Sequence, residues 1–352
     1  MRFEVLPSAA PRFPEGAVEP VAPRFRSPRI GLALGGGSAR GWSHIGVIEA
    51  LEEAGIYPEV VAGCSIGAVV GGAYAAGRIG ELKDFALSLT RRRVVGMLDP
   101  RITGSGLIAG ERLRRRLARE LDGFRIEDLR LAFASVATEL GTGHEVWLSR
   151  GPLVEAVRAS YAIPGIFPPV ALEGRLLMDG TLVNPVPVRL ARELGADLVI
   201  CVNLSCETRP PGMVIRPEQD EPILDDAAEP GEETIEETLE ATVRRRGRWG
   251  LLRGASRRLM GRRHPPAARD KAGRPSPGVA RVMLDAFNIT QDRISRARLA
   301  GDPPDVSIRP RLAEFGQFEF HRAAYGIDLG RQAVRAALPE IRRMVESAAA
   351  RS

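Results

Sequence analysis

Ser65 lies between Gly63 and Gly67 in a Gly-x-Ser-x-Gly, entered from the apolar run Val60-Val61-Ala62 and left through Ala68-Val69-Val70-Gly71-Gly72-Ala73. The first run reads as a short buried strand and the second as a helix. A strand that turns sharply into a helix thrusts the turn serine beyond the strand end, and flanking glycines let neighbouring backbone pass close. The helix start behind it aims unpaired N–H groups at developing negative charge. Such a setting displays a nucleophile. The same residues also fit an ordinary glycine-rich turn, or one that bears a phosphate.

Two further stretches carry chemistry. Residues 29–34 read as the first core strand, and Gly35-Gly36-Gly37-Ser38-Ala39-Arg40-Gly41 follows it. Trp42, Ile45, Ile48 and Leu51 then recur at helical spacing until Gly55. A strand, a glycine loop and a helix start together form an anion cradle, because bare amides converge there. A dinucleotide loop would want glycine where Ser38 stands, and a P-loop would want a lysine that is missing. The third identity is an oxyanion hole. Asp179 follows Leu176-Leu177-Met178 and precedes Gly180. It thus sits at a strand end, where sites in α/β folds collect, although Asp-Gly is also a common turn.

The elements that must position these residues read in order along the chain. Helices are expected over 81–89, 110–121, 152–160, 187–194, 279–299 and 329–347. Strands are expected over 131–140, 144–148, 197–203 and 306–308, with a hairpin at 170–178. Arg91-Arg92-Arg93 reads as a basic knot, and residues 163–169 as a stiff apolar loop that lines a pocket or closes off the sheet. Alternating strands and helices point to an α/β class with a mostly parallel sheet.

Composition sets the outer limits. The 352 residues are 44% hydrophobic and 27% charged, ordinary for a globular protein with a sizeable core. Cys64, Cys201 and Cys206 show neither metal-ligand spacing nor an even disulfide framework, and with four histidines no zinc site is expected. No run of about 18 apolar residues is present, so no transmembrane helix is expected, and the N-terminus lacks a secretory signal pattern. Residues 1–28 read as a Pro-rich leader, 29–205 as the core, 206–277 as an acidic-then-basic insertion, and 278–352 as a helical segment packing on the core. The net charge of +6 favours an anionic partner. Within residues 244–263, arginines interleave with Trp249, Leu251 and Leu252, which suits an anionic membrane surface or pairing with the acidic neighbour.

Taken together, the glycine loop, Gly63-Cys64-Ser65-Ile66-Gly67 and Asp179-Gly180, in that order, resemble the patatin-like phospholipase family, in particular its small bacterial members and neuropathy-target-esterase-type catalytic domains. The resemblance covers about residues 29–205 and 278–325. It implies a three-layer α/β/α fold with a nucleophile elbow after a core strand. It also implies a serine acyl-hydrolase of phospholipids or lysophospholipids that needs neither metal nor other cofactor. Ser65 is then the nucleophile and Asp179 the base, with no histidine. Gly35, Gly36, Gly37 and Ser38 form the oxyanion loop with help from Arg40, and Gly63, Gly67 and Gly180 are motif glycines. Ser38 stands where the family often has a small apolar residue, and Thr181 where Gly or Ala usually follows Asp-Gly. Neither change removes a backbone N–H.

Two other classes remain in play: a non-catalytic protein binding an acyl group or nucleotide on the same scaffold, and a Ser-His-Asp hydrolase using His321. Nucleic acid is not expected as a partner. A cytoplasmic protein, peripheral at the inner membrane face, is the expected placement.

Overall fold

Alternation of large and small apolar residues decides how the strands stack. In β1 (Ile30–Leu34), Leu32 and Leu34 face one side and Ala33 the other. In β2 (Val60–Cys64) the split is Val61 against Ala62 and Cys64, and in β3 (Ala132–Glu139) it is Phe133 against Ala134 and Val136. Side chains alternate across a strand, so the sheet acquires a bulky face and a small-residue face, each wanting its own layer of helices.

A computed structural model describes residues 27–100, 105–205, 242 and 279–350. The expected leader lies outside these residues except for its last two, and the expected insertion except for Thr242; the basic stretch 244–263 lies wholly outside. The sheet has eight strands. Its remaining members are β4 (Glu145–Leu148), β5 (Val170–Leu172), β6 (Arg175–Asp179), β7 (Leu198–Val202) and β8 (Val306–Ile308). The order is β5-β6-β3-β2-β1-β7-β8, with β4 also on β3. Strands β1, β2, β3, β7 and β8 run parallel, whereas β4, β5 and β6 are antiparallel additions.

The bulky face carries α1 (Ser43–Glu53), α2 (Ile66–Ala75), α3 (Ile79–Leu87), α5 (Glu111–Leu121), α6 (Leu153–Ser160) and α9 (Ala323–Ala349). The small-residue face carries α7 (Val188–Glu193) and Leu299 of α8 (Val279–Gly301). This is a three-layer α/β/α architecture with a mostly parallel sheet, as the resemblance implied. Order reverses between β1 and β7, so the crevice at the carboxyl end of β1 lies at a topological switch point, where ligands of such sheets bind.

Two local expectations are corrected. The basic knot at 91–93 opens a helix, α4 (Arg91–Met97), because the Thr90 side chain caps it by accepting from the Arg93 amide at 3.3 Å. Helix α9 starts at Ala323 instead of 329. Gly326 lies against Phe315 and Trp42, so packing overrides its weak helix propensity. Among the described residues, no helix is long and apolar enough to cross a membrane.

Helices α1 and α9 meet through two glycines. A Cβ on Gly46 would lie 1.8 Å from the Ile327 carbonyl oxygen, and one on Gly330 would lie 2.0 Å from that of Ser43. The crossing therefore tolerates no side chain at either point. Gly46→Ala is expected to destabilise the protein by about 2 kcal/mol or more through forced backbone displacement. Gly80→Ala, on α3 with open space around it, is expected to stabilise by about 0.5–1 kcal/mol. Urea denaturation of the two variants checks both signs.

Candidate active site

One edge of β3 brings the candidate residues together. Residues 132–136 pair with β2 up to Cys64↔Val136, and the next position, Ala137, pairs with Asp179 at the end of β6. Two strands arriving from opposite directions thus end side by side on one partner. Ser65 follows Cys64 directly, so its hydroxyl and the carboxylate meet by register. The Ser65 hydroxyl donates to Asp179 Oδ2 at 2.7 Å.

Ser65 is held in a strained backbone conformation, with φ 54° and ψ −122°, a region that non-glycine residues rarely enter. Its amide cannot join the helix that follows. Instead it donates to the Ser160 hydroxyl at 2.9 Å, and that hydroxyl donates to the Val136 carbonyl at 2.6 Å. Ser160, at the end of α6, ties the turn back to β3. Gly67 is required for close approach, since a Cβ there would lie 2.2 Å from the Leu34 carbonyl oxygen. The turn is thereby pressed against the glycine loop after β1.

Asp179 is fully buried. Its amide donates to the Ala162 carbonyl at 2.9 Å, and its carbonyl accepts from Thr138 Oγ1 at 2.8 Å. Oδ1 accepts from the Thr181 amide at 2.8 Å and the Thr181 hydroxyl at 2.7 Å, leaving Oδ2 to Ser65. Burial pushes the carboxyl pKa up to about 6, against the pull of the Thr181 and Ser65 hydrogen bonds. A carboxylate so placed is ionised at neutral pH yet basic enough to take a proton.

The glycine loop is narrower as a donor set than its sequence implies. The Gly35 amide donates to the Val202 carbonyl at 3.1 Å and the Gly36 amide to that of Pro185 at 3.0 Å, so neither is free for an oxyanion. Those bonds fasten the loop to its neighbours. The amides of Gly37 and Ser38 have no partner among the described residues, nor has that of Ile66 at the start of α2. Arg40 gives its Nε to the Phe315 carbonyl at 2.8 Å, and Trp42 gives Nε1 to that of Phe320 at 3.1 Å. The Arg40 bond clamps the loop to the segment before α9. His44, fully buried, bonds the Gly35 carbonyl through Nε2 at 2.8 Å, and burial lowers its pKa to about 4.

His321 lies apart from the hydrogen bonds of Ser65. Its Nε2 accepts from Arg91 Nε at 3.3 Å, and the Ser65 hydroxyl makes no bond to it.

A cavity of about 150 Å³ opens beside Ser65 and Ser38. Its walls are apolar and come from α3, α4, α5 and the 163–167 loop, with Leu82, Phe85, Val94, Ile108, Leu117 and Phe167 among them. The stiff loop read from the sequence therefore lines a pocket. Ser160 and the cavity wall from α4 escaped sequence reading. A serine at a helix end carries no signal of its partner, and Arg91-Arg92-Arg93 hid an apolar helical face. Among the described residues, no group of three or more His, Cys, Asp or Glu side chains could hold a metal ion.

Burial of Asp179 has a cost for folding. Its folded pKa of about 6 exceeds the ordinary 3.8. The contribution to stability is therefore full below about pH 4 and lost as pH rises through about 6. Asp179→Asn keeps the shape without the charge. It is expected to be more stable than wild type by about 1–3 kcal/mol at pH 8, with the gain largely gone at pH 4. Chemical denaturation at the two pH values measures this.

Sequence comparisons bear on the same residues. A family model described as patatin-like phospholipase matches residues 32–192, which include the glycine loop, Ser65 and Asp179. An uncharacterized NTE family protein of Mycobacterium bovis is 37% identical over 336 residues, covering 89% of this chain and 92% of its own. Lysophospholipase nte1 of Emericella nidulans is 34% identical over 205 residues, which cover 54% of this chain and 13% of the fungal protein. Patatin-like phospholipase domain-containing protein 6 of Mus musculus is 36% identical over 185 residues, covering 51% and 14% respectively.

Proposed function

This chain belongs to the patatin-like phospholipase family, and on that premise we propose that it is a serine acyl-hydrolase that cleaves acyl esters of phospholipids or lysophospholipids with a Ser65–Asp179 dyad. The observation that carries the reading is the 2.7 Å hydrogen bond from the Ser65 hydroxyl to a buried carboxylate. A relative named lysophospholipase supports the substrate class.

In the proposed reaction, Ser65 Oγ attacks the ester carbonyl carbon while its proton passes to Asp179 Oδ2. The negative oxygen of the tetrahedral intermediate is held by the Gly37, Ser38 and Ile66 amides, at the positive end of α2. Collapse breaks the bond to the leaving alcohol, which takes the proton from Asp179. Water then attacks the acyl-enzyme, Asp179 accepts a water proton, and the second collapse returns that proton to Ser65 and frees the carboxylic acid. The apolar cavity receives the acyl chain, and its exclusion of water strengthens each of these electrostatic contacts.

Ester hydrolysis and fluorophosphonate labelling test the dyad against a histidine-based triad. Ser65→Ala and Asp179→Asn are expected to lose at least about 10³-fold in kcat/KM, with labelling abolished in Ser65→Ala, while His321→Ala stays within about threefold of wild type. Activity in Asp179→Asn together with its loss in His321→Ala would select the triad. Retained hydrolysis in Ser65→Ala would remove the nucleophile.

The cavity generates a separate expectation. Leu113→Trp fills space at its wall. The ratio of kcat/KM for twelve-carbon over four-carbon acyl esters is expected to fall by about tenfold or more, with the short ester little affected. Rates on a series of acyl p-nitrophenyl esters check it.

A further inference from the structure

Behind the carboxylate, three hydrogen bonds run in series from α8 to the nucleophile. Gln291 Nε2 donates to Thr181 Oγ1 at 2.8 Å. Thr181 Oγ1 donates to Asp179 Oδ1 at 2.7 Å, beside the Thr181 amide at 2.8 Å. The Ser65 hydroxyl takes the other carboxylate oxygen at 2.7 Å. We propose that Gln291 is a positioning residue for the base: acting through the Thr181 hydroxyl, it locks the Asp179 carboxylate with Oδ2 towards Ser65. The inference rests on the reading of Asp179 as the base and deepens it.

Proton counting supports the assignment. A threonine hydroxyl has one proton and can rotate to spend it elsewhere. An amide N–H aimed at its oxygen from Gln291 occupies a lone pair and leaves the proton for Asp179. Without Gln291 the hydroxyl becomes a free rotor. Without the hydroxyl, Oδ1 keeps a single donor and the carboxylate can swing about its last torsion. Thr181 is fully buried, and its methyl closes on the glycine loop, since a Cβ on Gly36 would lie 2.3 Å from Thr181 Cγ2.

Helix α8 is well placed to carry such a residue. Val282, Met283 and Ile289 are each more than half exposed, so little apolar burial seats the helix there. Its grip on the site is polar. Arg298 donates from Nε to the Val183 carbonyl at 3.0 Å and pairs with Glu145 at 3.1 Å. Hydrogen-bond chains in a dry setting reinforce one another, so the loss of the outer member is felt at the inner one.

Titratable and charged groups face the carboxylate from three neighbouring elements. From β2 comes the Cys64 thiol, which burial and the charges of Asp179 and Glu145 push well above its usual value. From β4 comes Glu145, paired with Arg298. Asp292 of α8 pairs with Arg296 on its own helix at 2.9 Å. The Thr181 hydrogen bonds lower the Asp179 pKa. Their loss must therefore raise it and move the acid limb of the rate profile to higher pH.

The experiment is a set of pH–rate profiles for hydrolysis of a short-chain ester by the full chain, with thermal melts to confirm folding. Thr181→Val is expected to lower kcat by about 30-fold at pH 7 and to move the acid limb up by about one pH unit, with KM little changed. Gln291→Ala is expected to lower kcat by about fivefold and to move the limb the same way by less. Thr181→Ser, which keeps the hydroxyl, should lie within about threefold of wild type with an unshifted limb. If Thr181→Val does not fold, the half-buried Gln291 decides the matter alone. Wild-type kcat with a superposable profile in Gln291→Ala, while Asp179→Asn is inert, would overturn this inference and leave the dyad standing. Wild-type activity in Asp179→Asn would overturn the dyad, and this inference with it.

Discussion

The site depends on one edge of β3. Five of its residues hold the strand that leads into Ser65, and from the very next position it holds the strand that ends in Asp179, running the other way. Strand registers are specific wherever a face is buried, because a one-residue slip would turn every side chain to the wrong side. The separation of Ser65 from Asp179 is therefore set by the sheet and not by flexible loops. Ser160, Thr138 and the Ala162 carbonyl then pin the two chain ends at the places where the ladder stops.

That arrangement stores unfavourable terms where the chemistry would occur. A serine stands in a backbone region suited to glycine, a carboxylate is taken out of water, and the Gly37 and Ser38 amides have no partner among the described residues. Each term opposes folding, and such costs cluster where chemistry is done. The surrounding core offsets them. The bulky face of the sheet alone buries Leu32, Leu34, Val61, Phe133, Ile200 and Val202 under its helices.

The two faces of the sheet also divide the labour. The bulky face supports α3 and α5, whose inner sides wall the apolar cavity together with α4. The small-residue face lets α7 lie close, and on that side α8 brings Gln291 and Arg298 to the polar side of the site. A dry, apolar wall on one side of Ser65 and a hydrogen-bonded polar wall on the other suit an amphiphilic ester. The Gly46–Gly330 crossing plays its part at a distance, by seating α9 next to the segment that clamps Arg40 and Trp42.

The sequence by itself determined the local pieces. Short apolar runs marked most of the strands, helical spacing marked most of the helices, and Gly-x-Ser-x-Gly with Asp-Gly singled out Ser65 and Asp179, because these signals lie within a few consecutive residues. It overlooked α4 and started α9 late, where a cap and the packing around Gly326 outweighed local composition. It also treated all the amides of residues 35–38 alike. Only the tertiary structure decided that Gly35 and Gly36 spend theirs on Val202 and Pro185, that Ser160 holds the Ser65 amide, and that Gln291 reaches Thr181 across 110 positions. The physical reason is that a hydrogen bond has one partner in space, and nothing in the local pattern of a chain says which distant group will fill it.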